Sequence, residues 1–507
     1  MSELNYTSLK AGRRVMVKKQ TVVECVLHTD KDIKIAKVLS LSADGSIAAS
    51  ESLSKELKYN GRINFKVIFM NNDGGLSKLN YYADFSDKIE DETITPTSYI
   101  NNSGEVIDVN TVSLTENEIS LACVFEVSLE ILKTEEFMCI AKSEDLHIKS
   151  EVSKTCEILA RSSANFDIAE QKSVKNTVSD ILCSDADIIV NSTFAANDML
   201  ICEGEVIVNI TYGDNVKDEI LGISFTMPYK FEIEAKGSDI TKSATCQAVI
   251  NYLEVSVSVD EEKNESIFSA NANIKLLGVV YNLTDMTVVT DVFSETNEVN
   301  PVISGINMNN FEGTVYYAEK VEGSVELSDN MSDIINILCC CGTRVNIVSY
   351  AAMDKNLNLE GIINTNVLFM DREGKKNSAQ AEIPFSINIE NDIIKRDCII
   401  KSKAMVCDIY AKSKKGKDLD IFVAVKICAD IYSSTTLMAV TEVELTTIKQ
   451  SENTISIYFA QENESFWDVA KQLNCSEAMI IKQNPNLSVP FNGGEQVVIY
   501  RQKILKI

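Results

Sequence analysis

Alternation of apolar and polar positions dominates roughly the first 450 residues of the chain. Stretches such as "RVNIVSYA" and "GIINTNVLFM" put apolar side chains on one face of an extended backbone, and polar turns such as "MDKNLN" separate them. One version of the alternation occurs three times. "GRINFKVIF" from Gly61, "GEVIVNITY" from Gly204 and "GIINTNVLF" from Gly361 all fit G-x-[IV]-x-x-x-[VI]-x-[FY]. Ile63, Val67 and Phe69 share a strand face, as do Val206, Ile210 and Tyr212, and Ile363, Val367 and Phe369. The flanks repeat as well. Leu39, Leu182 and Leu338 lie 22, 22 and 23 residues before the glycines, and Phe85, Tyr229 and Phe385 lie 16, 17 and 16 residues after the strand-ending aromatics. "NNDGG", "GDN" and "DREGKK" follow the three glycine strands and supply the residues a hairpin turn needs. Farther on come "EISLACVFEVSLEI", "IFSANANIKLLGVVY" and "DIFVAVKICADIY". The glycines are 143 and 157 residues apart, a domain-sized period. The chain is therefore expected to be mainly β, with three tandem homologous domains over 1–150, 151–300 and 301–448, each a sandwich or partly open barrel.

The pattern changes after the polar linker Lys449–Thr454. "ISIYFAQE" reads as a short strand, and Ser465 with Asp468 three residues later has the capping-box spacing. Phe466, Val469, Ala470 and Leu473 make an i, i+3, i+4, i+7 apolar face. A second helix starts at Ser476 and must stop before Pro485, and "GGEQVVIY" closes with a strand. Residues 455–500 thus predict a small α+β domain of order βααβ. It holds the chain's only tryptophan, Trp467, which is expected to pack between helix and sheet.

Charge and chemistry narrow the function. Lys plus Arg number 48 against 74 Asp plus Glu, a formal charge of −26, which repels nucleic acid and anionic membrane. The short basic stretches "AGRRVMVKK" and "AKSKKGKD" read as solvated strand or turn. No stretch is apolar for long enough to span a membrane, and "MSELNYTSLKAGRR" lacks the apolar core of a secretory signal, from which a cytosolic site is expected. The fourteen cysteines have no zinc-type spacing, and the run Cys339–Cys341 puts Cys339 and Cys341 on one face and Cys340 on the other. With two histidines and no nucleotide, hydrolase or metal motif, the reading is a non-enzyme with no catalytic residues, cofactor or metal.

Two resemblances add to this. Tyr458, "ESFWDVA", "NPN" and "GGEQVVI" resemble the LysM domain. That family usually binds N-acetylglucosamine glycans between two loops, which by resemblance are Gln461–Phe466 and Lys482–Leu487. The residues implied at a binding site are Asn463, Glu464, Ser465, Phe466, Trp467, Lys482, Gln483, Asn484, Pro485 and Asn486. Asn463-Glu464-Ser465 replace the family's Gly-Asp-Thr, and the missing glycine counts against sugar contact. The three glycine strands with their following aromatics resemble the sporulation-associated domains of unknown function in spore-coat proteins. Several such domains followed by one LysM resemble the SipL-like family of spore coat morphogenetic proteins. This implies a non-enzymatic scaffold in the mother cell that binds a SpoIVA-like coat-basement ATPase through LysM at the forespore surface. The alternative is a glycan-binding protein that tethers a complex to peptidoglycan.

Overall fold

The computed structural model describes residues 4–501 except 31, 144, 176, 215–218, 261, 263–264, 328–331, 415 and 448–454. The expected linker Lys449–Thr454 and Asn215 of the second hairpin turn therefore lie outside the described residues. The protein is mainly β. The first β unit contains β1 (Asn5–His28), β2 (Ile35–Ser52), β3 (Glu56–Asn71), β4 (Leu76–Glu90), β5 (Tyr99–Leu114) and β6 (Glu118–Lys142). The second contains β7 (His147–Val174), β8 (Val178–Ala196), β9 (Met199–Asp214), β10 (Glu219–Glu234), β11 (Ser243–Asp260) and β12 (Glu265–Phe293). The third contains β13 (Asn297–Glu326), β14 (Ile334–Met353), β15 (Asn356–Asp371), β16 (Lys376–Glu390), β17 (Ile399–Lys414) and β18 (Asp418–Thr447). Each unit pairs these strands in the same way, as two antiparallel three-stranded sheets such as β2-β3-β4 and β1-β6-β5. The inward faces of both sheets share one apolar core in each unit.

The repeated sequence motif has a structural cause. Gly61 stands opposite Phe85, Gly204 opposite Tyr229 and Gly361 opposite Phe385 in the central-to-edge strand pairing. On the other side of each glycine the neighbouring strand is bulged, between Ile47 and Ala49, Val190 and Ser192, and Ile347 and Ser349. A Cβ on Gly61 would sit 2.5 Å from Phe85 Cζ and 2.6 Å from the Ser46 carbonyl oxygen. The glycine thus leaves room for an aromatic ring to lie across the strand and for a bulged carbonyl to approach it. In the second unit the Tyr229 hydroxyl donates to the Ile189 carbonyl at 3.1 Å, a bond the two phenylalanines cannot make.

The units pack on one another through their longest strands. The far ends of the β1/β6, β7/β12 and β13/β18 ribbons leave their own cores and meet in shared apolar clusters. One joins Ala11 and Cys139 to Met286, Val288, Ile306, Met308 and Ala439. Another joins Leu132, Cys156, Tyr281, Phe311 and Tyr432. The repeated leucines Leu39, Leu182 and Leu338 converge in a third cluster, where Cys339 and Cys341 also sit, while Cys340 packs on the core of the third unit. The C-terminal unit comprises β19 (Ile455–Phe459), α1 (Phe466–Leu473), α2 (Glu477–Gln483) and β20 (Gln496–Tyr500), with β19 and β20 antiparallel.

Candidate partner-binding site

The C-terminal unit is built around a well-capped first helix. Ser465 accepts from the Asp468 backbone N–H at 3.3 Å, and the Asp468 carboxylate accepts from the Ser465 N–H at 2.8 Å and from its hydroxyl at 2.6 Å. Partial burial pushes the Asp468 carboxyl up, but the Ser465 hydrogen bonds outweigh it and the net shift is downward. The apolar faces of α1 and α2 close over Val497 and Ile499 of β20, with Phe491 inserted edge-on to Phe466 at 5.5 Å.

The residues of the two expected loops divide into structural and exposed sets. Glu464 accepts from the Tyr458 hydroxyl and from the Gln461 N–H, both at 2.8 Å, so its carboxylate is spent within its own loop. Asn463 is exposed and has φ 67°, the left-handed region that a glycine enters freely and asparagine tolerates. Gln483 and Asn484 bind the edge of β20. Gln483 exchanges two hydrogen bonds with the backbone of Tyr500, and Asn484 does the same with Val498. Lys482, Pro485 and Asn486 are exposed. Ser465 and Phe466 are half-buried, one as helix cap and the other against Phe491.

Trp467 is buried, but part of its cover comes from outside its own unit. Its indole N–H donates to Asp291 at 2.8 Å, and its ring meets Phe293 edge-on at 4.9 Å between centroids. Both partners belong to the end of β12 in the second unit. The expected packing between helix and sheet is thus extended by a contact 176 residues away in sequence. No local signal in the chain announces that pairing.

The other face of the β19/β20 sheet carries a surface that the loop reading missed. Ile455, Ile457, Phe459 and Tyr500 are 53%, 53%, 65% and 58% exposed. Paired residues of an antiparallel ladder share a face, so Ile455 with Tyr500 and Ile457 with Val498 form one apolar strip. Its signal was the alternation in "ISIYF", where Ile455, Ile457 and Phe459 share one face and Ser456 and Tyr458 the other.

A second feature lies between the β units. A cavity of ≈ 1610 Å³ is lined by residues of all three, mostly from β2, β5, β8, β11, β14 and β17. Its walls carry charges that link the units. Lys66 pairs with Asp44 of its own unit and, at 2.8 Å, with Asp185 of the second. Burial alone would lower the Lys66 ammonium, but Asp185 and Asp44 outweigh it and hold it well above its ordinary value. Glu130 pairs with Arg14 and, at 2.6 Å, with Lys401 of the third unit. Arg14 also donates to the Tyr281 hydroxyl at 2.6 Å and lies 3.4 Å from the Tyr432 ring centroid. The basic stretch around Arg14 is therefore not simply a solvated strand. Arg14 is buried at a junction of all three units, while Arg13 and Lys18 face outward. Among the described residues no group of three or more His, Cys, Asp or Glu is placed to hold a metal ion.

Residues 333–414 match the family model described as "SipL, SPOCS domain". No curated protein and no solved structure matches the chain. The matched stretch runs from the start of β14 to the end of β17 and contains Gly361 and Phe385. It supports a SipL-like sporulation protein and a role related to sporulation. No helix among the described residues is long and apolar enough to cross a membrane.

Proposed function

We propose that the chain is a non-enzymatic scaffold of spore coat assembly. Its C-terminal unit docks a SpoIVA-like coat-basement ATPase in the mother cell and so helps hold the coat on the forespore. The SPOCS match in the third unit supports the sporulation setting. The observation that carries the docking role is the apolar strip of Ile455, Ile457, Phe459 and Tyr500, since small units seldom leave so much aliphatic and aromatic surface in water without a partner. Of the binding residues implied by the resemblance, Asn463, Lys482, Pro485 and Asn486 are exposed and could extend that contact. The test is capture of the purified ATPase by immobilised full-length protein, with an N-acetylglucosamine oligomer as competitor. Capture that survives the oligomer and is lost in Ile457→Asp supports the protein-docking reading. A second reading, tethering to peptidoglycan, draws on the left-handed backbone kept at Asn463, which would let a sugar approach. Oligomer binding that Ile457→Asp leaves intact, with no capture of the ATPase, would favour that reading.

A further inference from the structure

The end of β12 lies against the C-terminal unit. A register shift between Val289 and Asp291 precedes it, and the Asp291 carboxylate accepts from the Val292 N–H at 2.9 Å. The same carboxylate takes the Trp467 indole N–H at 2.8 Å and the Lys471 ammonium at 2.7 and 3.0 Å. Trp467 and Lys471 are one helical turn apart, so one carboxylate engages both from one side of α1. Two residues on, Phe293 meets the tryptophan ring and is itself stacked on His147 at 4.7 Å, while His147 pairs with Glu295 at 2.9 Å. Among the described residues, Phe293 is the one residue of the β units that joins the apolar cluster of the C-terminal unit. We propose that Asp291 and Phe293 form a docking site in cis for the C-terminal unit, a latch that covers Trp467 and opens when the unit is released.

Two features make the latch separable. The side-chain contact is made by one ring pair, one indole hydrogen bond and one ion pair, while the helices of the C-terminal unit bury their apolar faces in that unit's own core. The ion pair is partly solvated, with side-chain exposures of 40% and 23%, and such pairs are weak and screened by salt. A contact this small between two bodies of one chain leaves relative motion as the default. Release would bare Trp467 and Phe293 together, and a bared tryptophan is the kind of side chain that anchors interfaces. A partner that also grips the Trp467 face must compete with Asp291, so cutting the latch raises the affinity of such a partner, whereas docking on the β19 strip alone leaves the latch closed. That last consequence rests on the proposed docking function, whereas the latch itself does not.

The single tryptophan reports the latch without interference. In the full chain, Asp291→Ala is expected to shift the emission to the red and increase acrylamide quenching, with the far-ultraviolet circular dichroism unchanged. Asp291→Asn, which keeps an acceptor for the indole but loses the ion pair, is expected to fall between. Wild-type emission and quenching in Asp291→Ala would overturn the latch. If Asp291→Ala instead loses helical signal, Lys471→Ala decides, because it trims a half-exposed side chain. Raised quenching in Lys471→Ala supports the latch, and unchanged quenching refutes it. Tighter capture of the purified ATPase by Asp291→Asn tests the consequence separately. A red shift without tighter capture would uphold the latch and show that the partner docks without using the Trp467 face.

Discussion

The three β units and the C-terminal unit are joined to their neighbours by different means. The β units share apolar clusters to which each contributes, and buried Arg14, Glu130 and Lys66 cross between them. The C-terminal unit touches the second β unit through the side chains of Asp291 and Phe293. The first kind of junction ties the units into one cooperative body, because pulling one away strands apolar surface and buried charge. The second kind permits detachment. A chain built this way carries a small detachable unit on a rigid base.

The strongest way to break this comparison is to weaken one β unit. Phe125 is fully buried in the first core, and Phe125→Ala should cost about 3–5 kcal/mol. In urea, followed by far-ultraviolet circular dichroism, all the β signal should then melt in one transition at a lower midpoint. Loss of a third of the signal in an early step, with the rest unmoved, would show that the units are independent.

A smaller effect sharpens the role of the repeated motif. A Cβ at position 361 would sit 2.5 Å from the Asn346 carbonyl oxygen and also meet the Phe385 ring, so Gly361→Ala should cost about 1–3 kcal/mol. Adding Phe385→Leu removes the ring contact, and part of that loss should return in the double variant. Simple addition of the two single costs would remove the ring from the explanation.

Lys401 tests the charged junction through pH. Burial, and then repulsion from Arg14, push its ammonium down to about 8 from the ordinary 10.5. The folded state therefore holds the proton less tightly than the unfolded chain. Stability linked to Lys401 is fully present above pH 10.5 and is lost as pH falls through about 8. Between these limits the melting temperature of the wild type should rise relative to Lys401→Met, by a stability difference on the order of 1–3 kcal/mol. Parallel pH profiles would contradict the burial of this amine at the junction. The smallest effect is expected at the other kind of contact. Lys471→Ala should change global stability by under about 1 kcal/mol in the same urea melts, because its pair with Asp291 is partly solvated.

The β class and the order of the C-terminal unit were legible because both depend on local pattern. Strand faces follow period two, and the Ser465–Asp468 box and Asn474 with its left-handed φ of 49° end the first helix where the apolar face runs out. The motif of glycine and distant aromatic was visible as spacing, but its meaning needed the register that sets Gly61, Gly204 and Gly361 opposite their rings. Arg14 and Asp291 were not legible. One stands in a basic run that looks solvated and the other in an ordinary strand end, and their partners lie far away in the chain, where no periodicity reaches. Of the loop residues suggested by resemblance, Glu464, Gln483 and Asn484 proved to be engaged in holding the unit together, since short loops satisfy their backbone groups with their own side chains. The strip on β19 was visible as the phase Ile455, Ile457 and Phe459, but such an apolar phase ordinarily faces a core, and here it faces outward.

The proposed docking of a protein partner would use that strip of the C-terminal unit. Titration calorimetry of the purified coat-basement ATPase into the full chain, compared with Ile457→Asp, tests it most directly. The account predicts measurable binding to the wild type, loss of at least tenfold in affinity for the variant (about 1.4 kcal/mol), and identical circular dichroism and urea melting of the two proteins. Equal affinity for both, with both folded, would contradict it.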